Sequence, residues 1–203
     1  FKGSVTEPRL FRIAAKGYYG GAQVMIDQTA KNVVLTGYAN LDERNNNKFM
    51  EVKEFKVSGS PVHQEYLKKA SYRDALNEQH IAYNKRGEAI SKQVGAARMA
   101  KDSVKMDSLI KTDAYKQFMS EEKAFFDNVE KTFTELISSH KDSWWGPFLM
   151  LNAYSYFTEN QKPVFQSFSA AAQQSYYGQK VKEELFPVAF LNQKAPTFEA
   201  ATS

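Results

Sequence analysis

The spacing of apolar positions changes near residue 59. Before it, short runs rich in β-branched and aromatic residues (10–13, 22–26, 32–36 and 49–57) are separated by Gly, Pro, Asn and Asp. Such runs are the signature of antiparallel strands. Residues 1–6 add a short extended run closed by Glu7-Pro8, and Lys16-Gly-Tyr-Tyr-Gly-Gly21 is rich in turn formers. Val52, Phe55 and Val57 are spaced for a half-buried strand with one irregularity. The Asn-rich segment 42–48 reads as a loop, and the short connections favour a meander over crossovers.

From Ser58-Gly-Ser60-Pro61 the period becomes helical. Ser60 suits an N-cap with Pro61 at the first helical position. Leu76, Tyr83, Ile90, Ala97 and Val104 recur every seven residues, drawing one thin apolar line along a helix or helix pair over 61–111. Gly87 and Gly95 mark places where that helix could break. Thr112-Asp113 suits the start of a second helix to about residue 139, with Phe118, Phe125, Val129, Phe133 and Leu136 on one stripe. Burying its three phenylalanines would contribute on the order of several kcal/mol, and an antiparallel hairpin is the economical packing. A very apolar helix over 144–157 follows, then a short one over 163–174 and a last one over 175–190 that Pro187 ends or bends.

The pattern therefore predicts an α+β chain. A small antiparallel sheet over 1–59 is followed by about four to five helices over 60–190 packed with it, and by a linker over 191–203. Composition agrees with a folded core: 42% of the residues are hydrophobic and 14% aromatic. The net charge is +4, and lysines alternate with acids instead of forming a basic block. No nucleic-acid partner is expected from such a surface. There is no cysteine, which excludes disulfides, thiolate metal sites and a cysteine nucleophile within this chain. No apolar run approaches the roughly 20 residues that span a bilayer. A start at Phe1 leads to the expectation of a processed product or an excerpt.

Each candidate for chemistry has a plainer structural account. His63, His80 and His140 form no ligand pair at metal spacing. The adjacent carboxylates of Glu121-Glu122 and Glu183-Glu184 do not face one another on a helix. Ser58-Gly-Ser60 lacks the frame of a nucleophile elbow, and the glycines of 16–21 lack a following Lys-Ser/Thr and helix. No catalytic residue, cofactor or metal is assigned. The aromatic cluster Trp144, Trp145 and Phe148, with Tyr154, Tyr156 and Phe157, is first of all a core helix. Trp144, Trp145 and Phe148 are kept as a candidate interaction patch.

Three ordered patterns resemble the N-terminal domain of unknown function that precedes the thioredoxin-like domain of bacterial envelope thiol-disulfide oxidoreductases. They are Phe1-Lys-Gly-Ser-Val-Thr-Glu-Pro8; Val57-Ser-Gly-Ser-Pro61 continuing through Glu65-Tyr66; and His140-Lys-Asp-Ser143 with Ser175-Tyr-Tyr-Gly-Gln-Lys180 and the tail Ala195-Pro-Thr-Phe198. The tail is similar to the opening of a thioredoxin-type domain. Asn192 stands where that opening often has Gly, and His140-Lys141 replaces an Asn-Pro. The family's Trp-Cys-x-x-Cys is absent, since Trp144-Trp145 is followed by Gly-Pro.

The resemblance implies a noncatalytic module in the bacterial cell envelope or periplasm. It would position a C-terminal thioredoxin-like domain, bind client proteins or form a homodimer, with membrane attachment only through an upstream lipid anchor. It also implies a first strand upstream of Phe1, without which a sheet edge would be exposed. The alternative is a free-standing binding protein with an aromatic-lined groove for a peptide, glycan or lipid.

Overall fold

A computed structural model of the chain describes residues 3–187. It has the predicted α+β class, with β-structure first and helices after. By compactness the chain forms two units, Phe1–Lys131 and Thr132–Ser203.

In the first unit, β1 (Arg9–Ile13) pairs antiparallel with β3 (Ala22–Ile26). A second sheet has the order β2-β5-β4, from β2 (Tyr19–Gly20), β5 (Asn47–Ser58) and β4 (Val34–Arg44). The long pair β4–β5 is antiparallel, as the meander reading expects. β2 departs from it, running parallel to β5 for two residues. No strand forms over residues 3–8, and Phe1 and Lys2 lie outside the described residues.

β4 extends eight residues beyond the expected 32–36, because the Asn-rich segment is a tight hairpin rather than a loop. Arg44 pairs with Asn47, leaving Asn45 and Asn46 as a two-residue turn with φ of 52° and 63°. Positive φ at both central positions matches the right-handed twist of the flanking strands, and Asn tolerates it better than most residues. The irregularity expected in β5 is a bulge. Glu54 and Phe55 oppose Gly37 alone, and Glu54 sits at φ 51°. The extra residue keeps Met50, Val52, Phe55 and Val57 on one half-buried face.

Ser60 and Pro61 begin α1 (Pro61–Ala70) as predicted, but the Ser60 hydroxyl does not cap the helix. α2 (Tyr72–Met99) runs unbroken through both glycines. At Gly87 a Cβ would lie 2.0 Å from the Phe118 ring, so the glycine is a packing slot and not a helix breaker. The breaks fall elsewhere. One is at Ser71; the other is at Lys101, φ 52°, followed by Asp102, whose carboxylate accepts from the Lys105 N–H to start α3 (Ser103–Ile110).

The Thr112 hydroxyl accepts from the Tyr115 N–H at the start of α4 (Asp113–Ser138), as expected. α2 and α4 form the predicted antiparallel pair. Gln79 meets Asn128, the Tyr83 and Phe125 rings lie tilted with centroids 5.2 Å apart, and Arg86 bonds Glu121. Ile90, Val94, Ala97 and Leu109 close its far end. The α4 phenylalanines Phe118, Phe125 and Phe133 are half-buried rather than buried, so this hairpin gains less from them than full burial would give.

The second unit packs around α5 (Trp145–Ala153), in which Trp145 to Met150 are all buried. A helix apolar on every side must be enclosed. Pro147 lies in its first turn as expected, but α5 stops at the extended Tyr154, four residues short of the predicted end. The segment 163–174 is two helices, α6 (Lys162–Gln166) and α7 (Ala170–Gln174), because Ser169 caps a new start. α8 (Tyr176–Leu185), capped by Ser175, ends just before Pro187. The Leu191–Ser203 tail lies outside the described residues.

Candidate functional site

The predicted aromatic patch lies at the start of α5. Trp145 and Phe148 are buried, and Trp144 is half-buried. Trp144 stacks on Trp145 with centroids 3.9 Å apart and on Tyr177 at 5.7 Å, while Phe148 meets Tyr177 edge-on at 4.9 Å. The three residues come together, but as the interior of the second unit, with their ring area spent on one another. They offer little area to a partner.

The histidines are dispersed in role as well as in sequence. His63 is 2% exposed, and its Nδ1 accepts the Met25 N–H at 3.2 Å. That bond requires an unprotonated Nδ1, and burial holds the imidazole below its ordinary pKa of 6.5. His80 lies between Tyr83 and Phe125, and His140 Nδ1 is 2.9 Å from the Leu136 carbonyl. No group of three or more His, Asp or Glu side chains among the described residues is arranged to hold a metal.

The acidic pairs are ordinary surface groups. Glu121 is held below the usual carboxylate range by hydrogen bonds from Arg86 and Gln117, and Glu183 pairs with Lys180. The Ser60 hydroxyl is engaged as well, donating to the Met25 carbonyl at 2.7 Å. In the glycine-rich segment, Gly21 adopts φ 102°, and a Cβ there would lie 2.1 Å from the Ile13 carbonyl. These glycines let the chain pass closely from one sheet to the other; they do not cradle a phosphate.

Exposed apolar side chains concentrate instead on the β2-β5-β4 sheet. Tyr38 is 70% exposed, Tyr19 60% and Phe49 42%; Val34, Leu35 and Leu41 are also exposed. Strand alternation puts Tyr38, Asn40, Asp42 and Arg44 of β4 on the same face as Phe49 and Glu51 of β5, and register aligns Tyr19 with Phe49 and Phe49 with Asp42. The Tyr19 and Phe49 rings lie 6.0 Å apart. Arg44 donates to Asp42 and holds its carboxyl below the usual range. Tyr19, Asn40, Asp42, Arg44, Phe49 and Glu51 border an open cleft of about 540 Å³.

β4 carries this surface at the edge of its sheet, and it is exposed along its whole length except at half-buried Asp42. The signal for these residues was present in the alternation of 38–44, but Gly37, Asn40 and Asp42 are poor strand formers. No helix among the described residues is long and apolar enough to cross a membrane. No family model matches the chain, and neither a curated protein nor a solved structure is significantly similar to it.

Proposed function

We propose that this chain is a noncatalytic binding and positioning module acting through the exposed β2-β5-β4 sheet. In the parent protein it precedes a thioredoxin-like thiol-disulfide exchange domain of the bacterial envelope. The observation that carries the binding role is the concentration of large exposed side chains on one sheet, at Tyr19, Tyr38, Leu41 and Phe49, while the tryptophans are occupied inside the second unit. The redox context rests on the resemblance of the three motifs and the Ala195-Pro-Thr-Phe198 tail. The module's contribution is tethering: a linked binding surface raises the effective concentration of partner and redox centre.

The coding sequence beyond Ser203 tests the redox context. A Trp-Cys-x-x-Cys in a thioredoxin-like domain supports it, and an immediate stop codon contradicts it. The binding role is tested by titrating the chain with that redox domain and with unfolded client polypeptides. Amide shifts confined to β2, β4 and β5 are expected, and unchanged spectra with every partner contradict it.

The cleft favours a second reading, a free-standing binder of glycans. A sugar ring presents an apolar C–H face and a rim of hydroxyls. Tyr19 and Phe49 offer the matching apolar surface, and Asn40, Asp42, Arg44 and Glu51 offer the hydrogen-bonding rim. Calorimetric titration with neutral oligosaccharides separates this reading from the first, which expects no heat from them, whereas glycan binding produces heat that Phe49→Ala abolishes.

A further inference from the structure

β4 offers eleven residues of sheet edge, Val34–Arg44, with neither lysine nor proline to discourage pairing. The bulge does not blunt this edge, because its extra residue belongs to β5 and leaves β4 regular. We infer that a second copy of this chain covers the edge, β4 against β4 in antiparallel register, with the two-fold axis at Tyr38. The occupant follows from the side-chain order of the strand, independently of any redox context.

Antiparallel pairing about a two-fold axis places each residue opposite one of the same strand face. An axis at Tyr38 sets Leu35 opposite Leu41 of the second copy, and Leu41 opposite its Leu35. All four are exposed in the single chain. On the other face it brings the two Tyr38 rings together and sets Thr36 against Asn40 and Val34 against Asp42. No charge meets a like charge.

Neighbouring registers lose this match. An axis at Ala39 puts Leu35 against Glu43, and one at Asn40 puts it against Asn45 in the turn. Axes at Asp42 or Glu43 oppose identical carboxylates, which is destabilising. The Tyr38 register joins two three-stranded sheets into one continuous sheet of order β2-β5-β4-β4-β5-β2. The interface is isologous, so the assembly closes at two copies and does not grow into a fibre.

Sedimentation velocity over a wide concentration range tests the proposal directly. The chain is expected to show reversible monomer–dimer exchange. Tyr38→Lys and Tyr38→Glu, at an exposed position that spares the monomer core, are each expected to weaken dimerisation by about tenfold or more, and an equimolar mixture to restore it. The register is read by single cysteines in this cysteine-free chain. Tyr38→Cys brings its two copies within disulfide reach, whereas in Asn40→Cys the copies are offset by four residues, about 13 Å. Mild oxidation is therefore expected to link the first and spare the second. A chain that stays monomeric at every concentration overturns the proposal. So does a dimer indifferent to both charged variants, or equal cross-linking at 38 and 40.

Discussion

β3 and β4 each have one side not covered by a paired strand, and the chain treats the two sides in opposite ways. On β3 the outward backbone groups of Met25 are taken up by α1 and the residue before it: His63 accepts the N–H and Ser60 donates to the carbonyl. The Tyr66 hydroxyl donates to Gln23 Oε1 in the same place. Met25 is 0% exposed, so these two bonds satisfy backbone groups that water does not reach. β4 has no helix laid along it, and its side chains stand in solvent. A closed edge serves folding, whereas an open one is a place to bind. The contrast explains why Ser60 and His63 are structural, and why the proposed binding surface lies on the open strand instead.

Removing the seal is expected to cost most. His63→Ala deletes a buried ring together with the Met25–His63 hydrogen bond, a loss of about 2–4 kcal/mol in denaturant unfolding. Ser60→Ala removes one donor, for about 1 kcal/mol. If both variants unfold like the parent, α1 does not close β3.

Acidification acts on the same joint. The folded state holds the His63 pKa below 6.5, so the unfolded chain binds the proton more readily. The contribution is fully present above about pH 6.5 and is lost as the pH falls through the folded pKa. Urea midpoints should therefore fall below pH 6.5 in the parent, and this increment of the fall should be missing in His63→Phe.

The open side is expected to respond less. Glu54→Gly relieves a left-handed backbone in β5 and should stabilise the hairpin by about 1 kcal/mol, provided the bulge is retained. Tyr38→Lys, at a position of β4 that is 70% exposed, should change monomer stability by no more than about 0.5 kcal/mol while changing self-association strongly. A large loss of monomer stability would mean that β4 is a structural strand like β3.

Much of this fold was legible in the sequence. The switch at Ser60-Pro61, the Thr112 cap, the α2–α4 hairpin and the bulge in β5 follow from local chemistry that the packing leaves intact. Other features were not, because they depend on a distant neighbour. Gly87 breaks no helix because Phe118 occupies the space a side chain would fill. Residues 37–44 become strand because β5 pairs with them, against the weak propensity of Gly37, Asn40 and Asp42.

For the site, the tryptophan cluster stood out by composition and lies largely inside. Tyr19 and Phe49 are far apart in sequence and meet only through strand register, and Tyr38 joins them on the same sheet only through the β4–β5 pairing. No local pattern announces that β3 is covered and β4 is not.

Amide hydrogen exchange at low and high protein concentration tests the difference between the two edges most directly. The Met25 amide should be protected equally at both concentrations. The β4 amides that point away from β5 should exchange rapidly at low concentration and slow as a second copy pairs with them. A rapidly exchanging Met25 amide, or outward β4 amides protected equally at both concentrations, would contradict the account.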